Sequence, residues 1–126
     1  NPSGLDWQRF VLAVDGRDEM IGCGQVKPHR DGSWELASIA VVPEWRGRGV
    51  ARAIIEHLMA RADPPLWLMC NSKLIPLYER FGFREVKETA AMPPYFRRII
   101  HLASPFFRLL PAGEYLAVMV WFSPVP

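Results

Sequence analysis

Six consecutive residues, Arg46-Gly47-Arg48-Gly49-Val50-Ala51, put two glycines and two arginines at the start of a run with helical spacing. Glycine lets a backbone come close to a ligand and adopt left-handed conformations. The unpaired N–H groups of a first helical turn, with the positive end of the helix dipole, favour an anion. Arginine adds charge and a planar fork of donors. The stretch therefore reads as a turn that grips phosphate. No cluster of Cys and His elsewhere has metal-ligand spacing. His29, His57 and His101 are scattered, and each is expected on the surface or on a helix face. Cys23 and Cys70 lie in apolar, strand-like surroundings and are expected to be buried free thiols.

The elements that would position this turn follow from periodicity. Before it, Trp34 to Val42 is a strand-like run, apolar from Leu36 onward. After it, Ala51, Ile54, Ile55, Leu58, Met59 and Ala62 recur at three- and four-residue steps, which predicts a helix ended by Asp63-Pro64-Pro65. Trp7 to Val14 and Met20 to Lys27 read as two earlier strands, joined by the turn Asp15-Gly16-Arg17-Asp18. Gly22 and Gly24 mark a bulge or a close backbone approach within the second. Asp31-Gly32 is a strong hairpin signal. Leu66 to Cys70 is short and wholly apolar, as in a central strand buried on both faces, so Leu36 to Cys70 makes a βαβ unit. Ser72 to Phe81 reads as a short helix closed by Gly82. Phe83 to Glu88 and Tyr115 to Phe122 read as strands. Between those strands, Thr89 to Gly113 carries helical periodicity over Tyr95 to Leu102, interrupted at Pro105. It is either helical cover on one face of the sheet or a flap beside a substrate site.

Size and composition bound the rest. The chain has 126 residues, 50% of them hydrophobic, enough for one domain spanning residues 1–126. A net charge of +2, from 15 basic and 13 acidic residues, is too balanced for a dedicated nucleic-acid binder. No apolar run reaches the ~18–20 residues of a membrane span. Two cysteines are too few for a disulfide framework, and no signal peptide is recognisable, so the expected setting is reducing and cytoplasmic.

Leu36 to Ala62 resembles the coenzyme-binding core of the GNAT superfamily of N-acetyltransferases. The family pattern of Arg or Gln, two variable residues, Gly, one variable residue, then Gly or Ala is met by Arg46, Gly49 and Ala51. A second block is similar to the family's later motif: Asn71, then Leu77-Tyr78-Glu79, then Phe81-Gly82-Phe83, with Ile75 where Ala is frequent. The two blocks run from Leu36 to about Glu85, roughly 40% of the chain. The resemblance implies an α+β fold, a mixed and mostly antiparallel twisted sheet around a central βαβ coenzyme-binding unit. The family opens with a strand and one or two helices that Asn1 to Asp6 cannot supply. A segment of about 20–30 residues is therefore expected before Asn1.

The resemblance further implies acetyl-CoA as co-substrate, without a metal. The coenzyme's pyrophosphate would rest on the amides of Arg46, Gly47, Arg48, Gly49, Val50 and Ala51, with Asn71 also in the coenzyme site. Its pantetheine arm would pair with main-chain groups of Ile39 and Val41, the Val41 amide facing the thioester carbonyl. Tyr78 stands where the family has a recurrent tyrosine acid, although it also fits a core face with Leu74, Leu77 and Phe81. Glu35, eleven residues before Arg46, stands where some members carry a basic Glu. By strand alternation it shares a face with Ala37, Ile39 and Val41, where partial desolvation would suit a base; a solvated strand end is the other reading. Arg48 and Arg52 either face solvent or meet phosphate. Arg97, Arg98 and Arg108 either face solvent or meet an anionic group.

The function that follows is acetyl transfer to the primary amine of a small molecule, by direct attack in a ternary complex. The alternatives are a non-catalytic acyl-CoA-binding module and a protein N-terminal or lysine acetyltransferase. A homodimer is plausible, with the final strand, Phe106-Phe107 or Trp121-Phe122 as its interface.

Overall fold

In the computed structural model, residues 9–122 are described; Trp7 and Gln8, expected to begin the first strand, lie outside them. Six strands and three α-helices make a mixed α+β fold with mostly antiparallel strand pairs. The chain divides into two compact units, Asn1–Lys27 with Leu36–Asp63 and Pro28–Glu35 with Pro64–Pro126.

The first unit holds β1 (Phe10–Val14), most of β2 (Met20–Pro28) and of β3 (Trp34–Val41), and α1 (Val50–Arg61). β1 and β2 pair antiparallel from Phe10 opposite Gln25 to Ala13 opposite Gly22, then slip by one at Val14. Their turn is held by Asp15, whose carboxylate accepts the Arg17 and Glu19 N–H groups at 2.7 and 3.1 Å. The expected helix stripe buries Ile54, Ile55 and Leu58. The glycines of β2 explain how α1 gets close. A Cβ on Gly24 would stand 2.6 Å from Ile39 Cδ1 and 2.8 Å from Ile54 Cγ2, and one on Gly22 would stand 3.0 Å from the Ala40 carbonyl and from Ile54 and Val50 side-chain carbons. Both readings of these glycines are realised, close approach at Gly22 and Gly24 and a register slip beside Gly22. β3 carries its own irregularity: Ser38 has φ 60°, left-handed for a non-glycine residue.

The second unit contains β4 (Leu66–Asn71), α2 (Ile75–Glu79), β5 (Arg84–Val86), α3 (Pro94–Ala103) and β6 (Leu116–Trp121). β4 and β6 pair antiparallel from Leu66–Trp121 to Asn71–Leu116, and β5 lies along the other side of β6. The parallel register of β4 with β3 is the pair Glu35–Trp67. The Thr89 to Gly113 segment is a 3-10 turn, Thr89–Ala91, then α3, then a 3-10 stretch, Ser104–Leu109; α3 ends just before Pro105. Helical cover is thus its structural role. Met92 and Phe96 pack with Trp67, Val118 and Val120 into a core bordered by Met69, Val86, Tyr95 and Ile100.

Three expectations change. The final strand offers no open edge for a dimer, because β6 runs between β4 and β5 and Trp121 is buried; Phe106 and Phe122 remain exposed. The helix expected over Ser72 to Phe81 is a 3-10 turn, Ser72–Leu74, followed by the five-residue α2. The strand after Gly82 is only Arg84–Val86. No α-helix among the described residues is long and apolar enough to cross a membrane.

Both cysteines are free. Burial, reinforced by the Glu85 charge, pushes the Cys70 thiol up to about 11. At pH 8 about one part in a thousand is then thiolate, so DTNB should label Cys70 slowly in native protein and promptly in urea. Gly24→Ala should destabilise the fold by about 1–3 kcal/mol in urea titration, because the added methyl overpacks the α1 contact.

Candidate functional site

The phosphate-type turn is built by a 3-10 turn, Pro43–Trp45, that leads into the glycines. Gly47 and Gly49 have φ of 77° and 83°, and the space where a Cβ would project is open at both. Gly49 is the N-cap of α1, with no side-chain cap and no acidic residue in the first turn. The first intrahelical bond is Ala53 N–H to Gly49 O, at 3.0 Å. The amides of Val50, Ala51 and Arg52 therefore have no helical acceptor. A bare, positively polarised helix end behind two left-handed glycines suits a phosphate group, and the residues present fit the pyrophosphate of coenzyme A. The arginine side chains are partly engaged on the turn itself. Arg46 Nε donates to the Val41 carbonyl at 3.2 Å, Arg48 lies 4.8 Å over the Trp45 ring, and Arg52 pairs with Glu56 at 2.8 Å on the helix surface. Main-chain amides, more than guanidinium groups, are what this turn offers.

On β3, Ile39 and Val41 are half-buried. Ser38 breaks strict alternation, so the face expected to join Glu35, Ile39 and Val41 is not continuous. Ile39 points at the Gly24 position beneath α1, whereas Glu35 bonds to His29.

Tyr78 sits on α2 at 8% exposure, edge-on to Phe83 with ring centroids 6.1 Å apart. Burial and the neighbouring Cys70 thiol both raise its phenol above the usual tyrosine value. The hydroxyl therefore stays protonated through the neutral range, the state a proton donor needs. The ring packs in the core, as the apolar-face reading expects. Asn71 is engaged internally at both ends of its amide: Oδ1 accepts the Lys73 N–H at 2.9 Å and Nδ2 donates to Glu114 at 2.8 Å.

Glu35 is the largest departure from expectation. Its residue is 7% exposed, so the solvated strand-end reading fails, and its surroundings are not simply apolar. His29 Nε2 lies 2.8 Å from Glu35 Oε1. The His29 ring stacks on Tyr95, with centroids 3.6 Å apart and planes 17° from parallel, and meets Phe96 edge-on at 5.7 Å. Asp31 in the same hairpin accepts the Tyr95 N–H at 2.9 Å, tying the start of α3 to the turn. His29 was expected on the surface. The signal that could have found it is the Asp31-Gly32 hairpin, where His29 N–H bonds Ser33 O at 2.9 Å. Glu35, two residues beyond Ser33, is then the diagonal neighbour of His29 on one face. Arg97, Arg98 and His101 line a cavity of about 470 Å3 with Thr89 and Pro94; Arg108 does not. Among the described residues, no group of three His, Cys, Asp or Glu side chains is placed to hold a metal ion.

A family model described as "Acetyltransferase (GNAT) domain" matches residues 6–85. Mycothiol acetyltransferase of Saccharopolyspora erythraea is 32% identical over 81 residues, covering 59% of this chain and 27% of that protein. The [Ribosomal protein bS18]-alanine N-acetyltransferase of Escherichia coli is 40% identical over 57 residues, covering 40% of this chain and 38% of that protein. The chain thus spans about a third of the length of these curated relatives. Rv2747 from Mycobacterium tuberculosis, solved in complex with CoA, superposes with a TM-score of 0.67 at 21% identity, over 92% of this chain and 76% of that one. The match over residues 6–85 takes in the glycine turn, β4 and the Tyr78 block, and this chain belongs to the GNAT acetyltransferase family.

Proposed function

We propose that this protein transfers an acetyl group from acetyl-CoA to the primary amine of a small molecule, by direct attack in a ternary complex. The observation that carries the reading is the uncapped N-terminus of α1 behind Gly47 and Gly49. When bound, acetyl-CoA supplies an activated acyl group on a thiol leaving group. The chain's residues do the rest. The amides of Val50, Ala51 and Arg52 hold the pyrophosphate. The main chain of Ile39 and Val41 aligns the pantetheine arm, with the Val41 N–H directed at the thioester carbonyl. Glu35 takes a proton from the incoming amine, which arrives largely as ammonium. Tyr78, kept protonated by its burial, donates one to the departing sulfur and regains one from the attacking nitrogen as the tetrahedral adduct collapses to the amide.

A small acceptor is favoured by the covering of Glu35. Tyr95 and Phe96 of α3 close over His29 beside it, which leaves little of the open groove that a protein chain needs. The relatives named for mycothiol and for a ribosomal-protein alanine show that both acceptor classes occur among similar proteins. The proposal includes a reducing, cytoplasmic setting, in keeping with two free cysteines.

Isothermal titration with acetyl-CoA, followed by a thiol-release assay over a panel of small amines and N-terminal or lysine-bearing peptides, tests this reading. Binding with turnover of small amines is expected. Binding without turnover of any acceptor would leave an acyl-CoA-binding module instead, and turnover of peptides alone would leave a protein acetyltransferase. Tyr78→Phe should lower kcat by about 100-fold while acetyl-CoA affinity stays within two-fold; an unchanged kcat removes Tyr78 from the chemistry.

A further inference from the structure

We propose that His29 is a positioning residue for Glu35, holding one carboxylate oxygen so that the other is presented to the amine. The inference rests on the acetyl-transfer reading above. The His29 and Glu35 side chains are 7% and 9% exposed, so neither charge nor dipole can be left to bulk water. Nε2 of His29 reaches Oε1 of Glu35 at 2.8 Å. A carboxylate oxygen can only accept, so in the proposed arrangement Nε2 carries the hydrogen and donates it. Among the described residues Oε2 of Glu35 has no hydrogen-bond partner, and it is not wholly shut from solvent, because the one buried side-chain oxygen or nitrogen without a partner there is Oε1 of Gln25. One oxygen is thus fixed and the other is open, the division a base needs if its free oxygen is to point at a substrate.

The imidazole is itself held on two sides. Tyr95 lies flat against it at 3.6 Å and Phe96 meets its edge at 5.7 Å. The N–H of Tyr95 is anchored on Asp31, two residues from His29 in the hairpin. Phe96 is fully buried and stacks on Trp67, with centroids 5.8 Å apart. Trp67 is the strand neighbour of Glu35. The ring that orients Glu35 and the strand that carries it therefore lean on the same aromatic core.

Three variants separate this role from packing. His29→Phe keeps an aromatic ring on Tyr95 but removes the donor. His29→Gln keeps a donor of similar reach but removes the stacked ring. Glu35→Gln removes the base. With an amine that the wild type acetylates, and assayed well below the Tm, which should fall because buried Glu35 loses its partner, His29→Phe should lower kcat at least ten-fold with acetyl-CoA Kd unchanged. His29→Gln should recover at least three-fold of that loss. Combining His29→Phe with Glu35→Gln should lower kcat no further than Glu35→Gln alone, because His29 acts through Glu35.

A histidine 15N–1H correlation spectrum of the unliganded protein should show the Nε2–H tautomer for His29, and needs no turnover. Wild-type kcat in His29→Phe, multiplied losses in the double variant, or an Nδ1–H tautomer would each overturn the proposal. Acetyl-CoA binding without turnover by the wild type would instead end the acetyl-transfer reading, and the base role of Glu35 with it.

Discussion

A carboxylate withdrawn from water must find a partner, and that constraint organises the second compact unit. Glu35 is almost wholly buried at the point where β3 meets β4. Leaving a buried acceptor without its partner typically costs about 1–3 kcal/mol, and more for a charged group. The hairpin at Asp31-Gly32 supplies the partner by turning the chain so that His29 comes back beside Glu35. Asp31 then bonds the Tyr95 N–H. That bond satisfies one of the orphan donors at the start of α3 and sets the aromatic pair Tyr95-Phe96 over the imidazole. One short turn thus partners a charge, caps a helix and seals a core edge.

The first unit rests on glycine for two different reasons. In β2, Gly22 and Gly24 are needed for what they lack, since a side chain at either would strike Ile39, Ile54 or the Ala40 carbonyl. At the head of α1, Gly47 and Gly49 are needed for the φ they accept, because nothing crowds them. The second pair leaves the helix end bare, without a side-chain cap. A bare end forgoes the roughly 1 kcal/mol that a Ser or Asp cap would add. That departure from local optimisation is in keeping with the proposed pyrophosphate site, because ligand-binding sites are where such departures are expected.

Much of this was legible in the residues. The stripe of Ile54, Ile55 and Leu58, the uniformly apolar Leu66 to Cys70 and the Arg46 to Ala51 turn each carry a local signal, because periodicity and glycine act within a few residues. Four of the strands lie within one residue of expectation at both ends. The strand after Gly82 was overextended because apolar and charged residues continue past Val86 with no turn signal until Met92-Pro93. The final strand was suggested as a dimer edge because sequence does not tell an edge from a centre; β5 covers β6 on that side. The left-handed Ser38 carried no signal, since serine is ordinary in a strand and only the pairing around it requires the irregularity.

What the sequence carried by itself is the set of local patterns on which the proposed site rests: a glycine-rich helix start, a tyrosine on a short helix after an apolar strand, and a glutamate before the turn. These are contiguous patterns, and each expresses the conformational limits or polarity of its own residues. What only the tertiary structure decided is the state of each group. Tyr78 is held protonated because Cys70 and the core surround it. Asn71 spends its amide on Glu114, more than forty residues away. Glu35 is held by a histidine that looked incidental, beneath a helix sixty residues further along the chain. Burial and partnership arise from residues distant in sequence, and the charge, orientation and proton of a buried group are set by those neighbours alone.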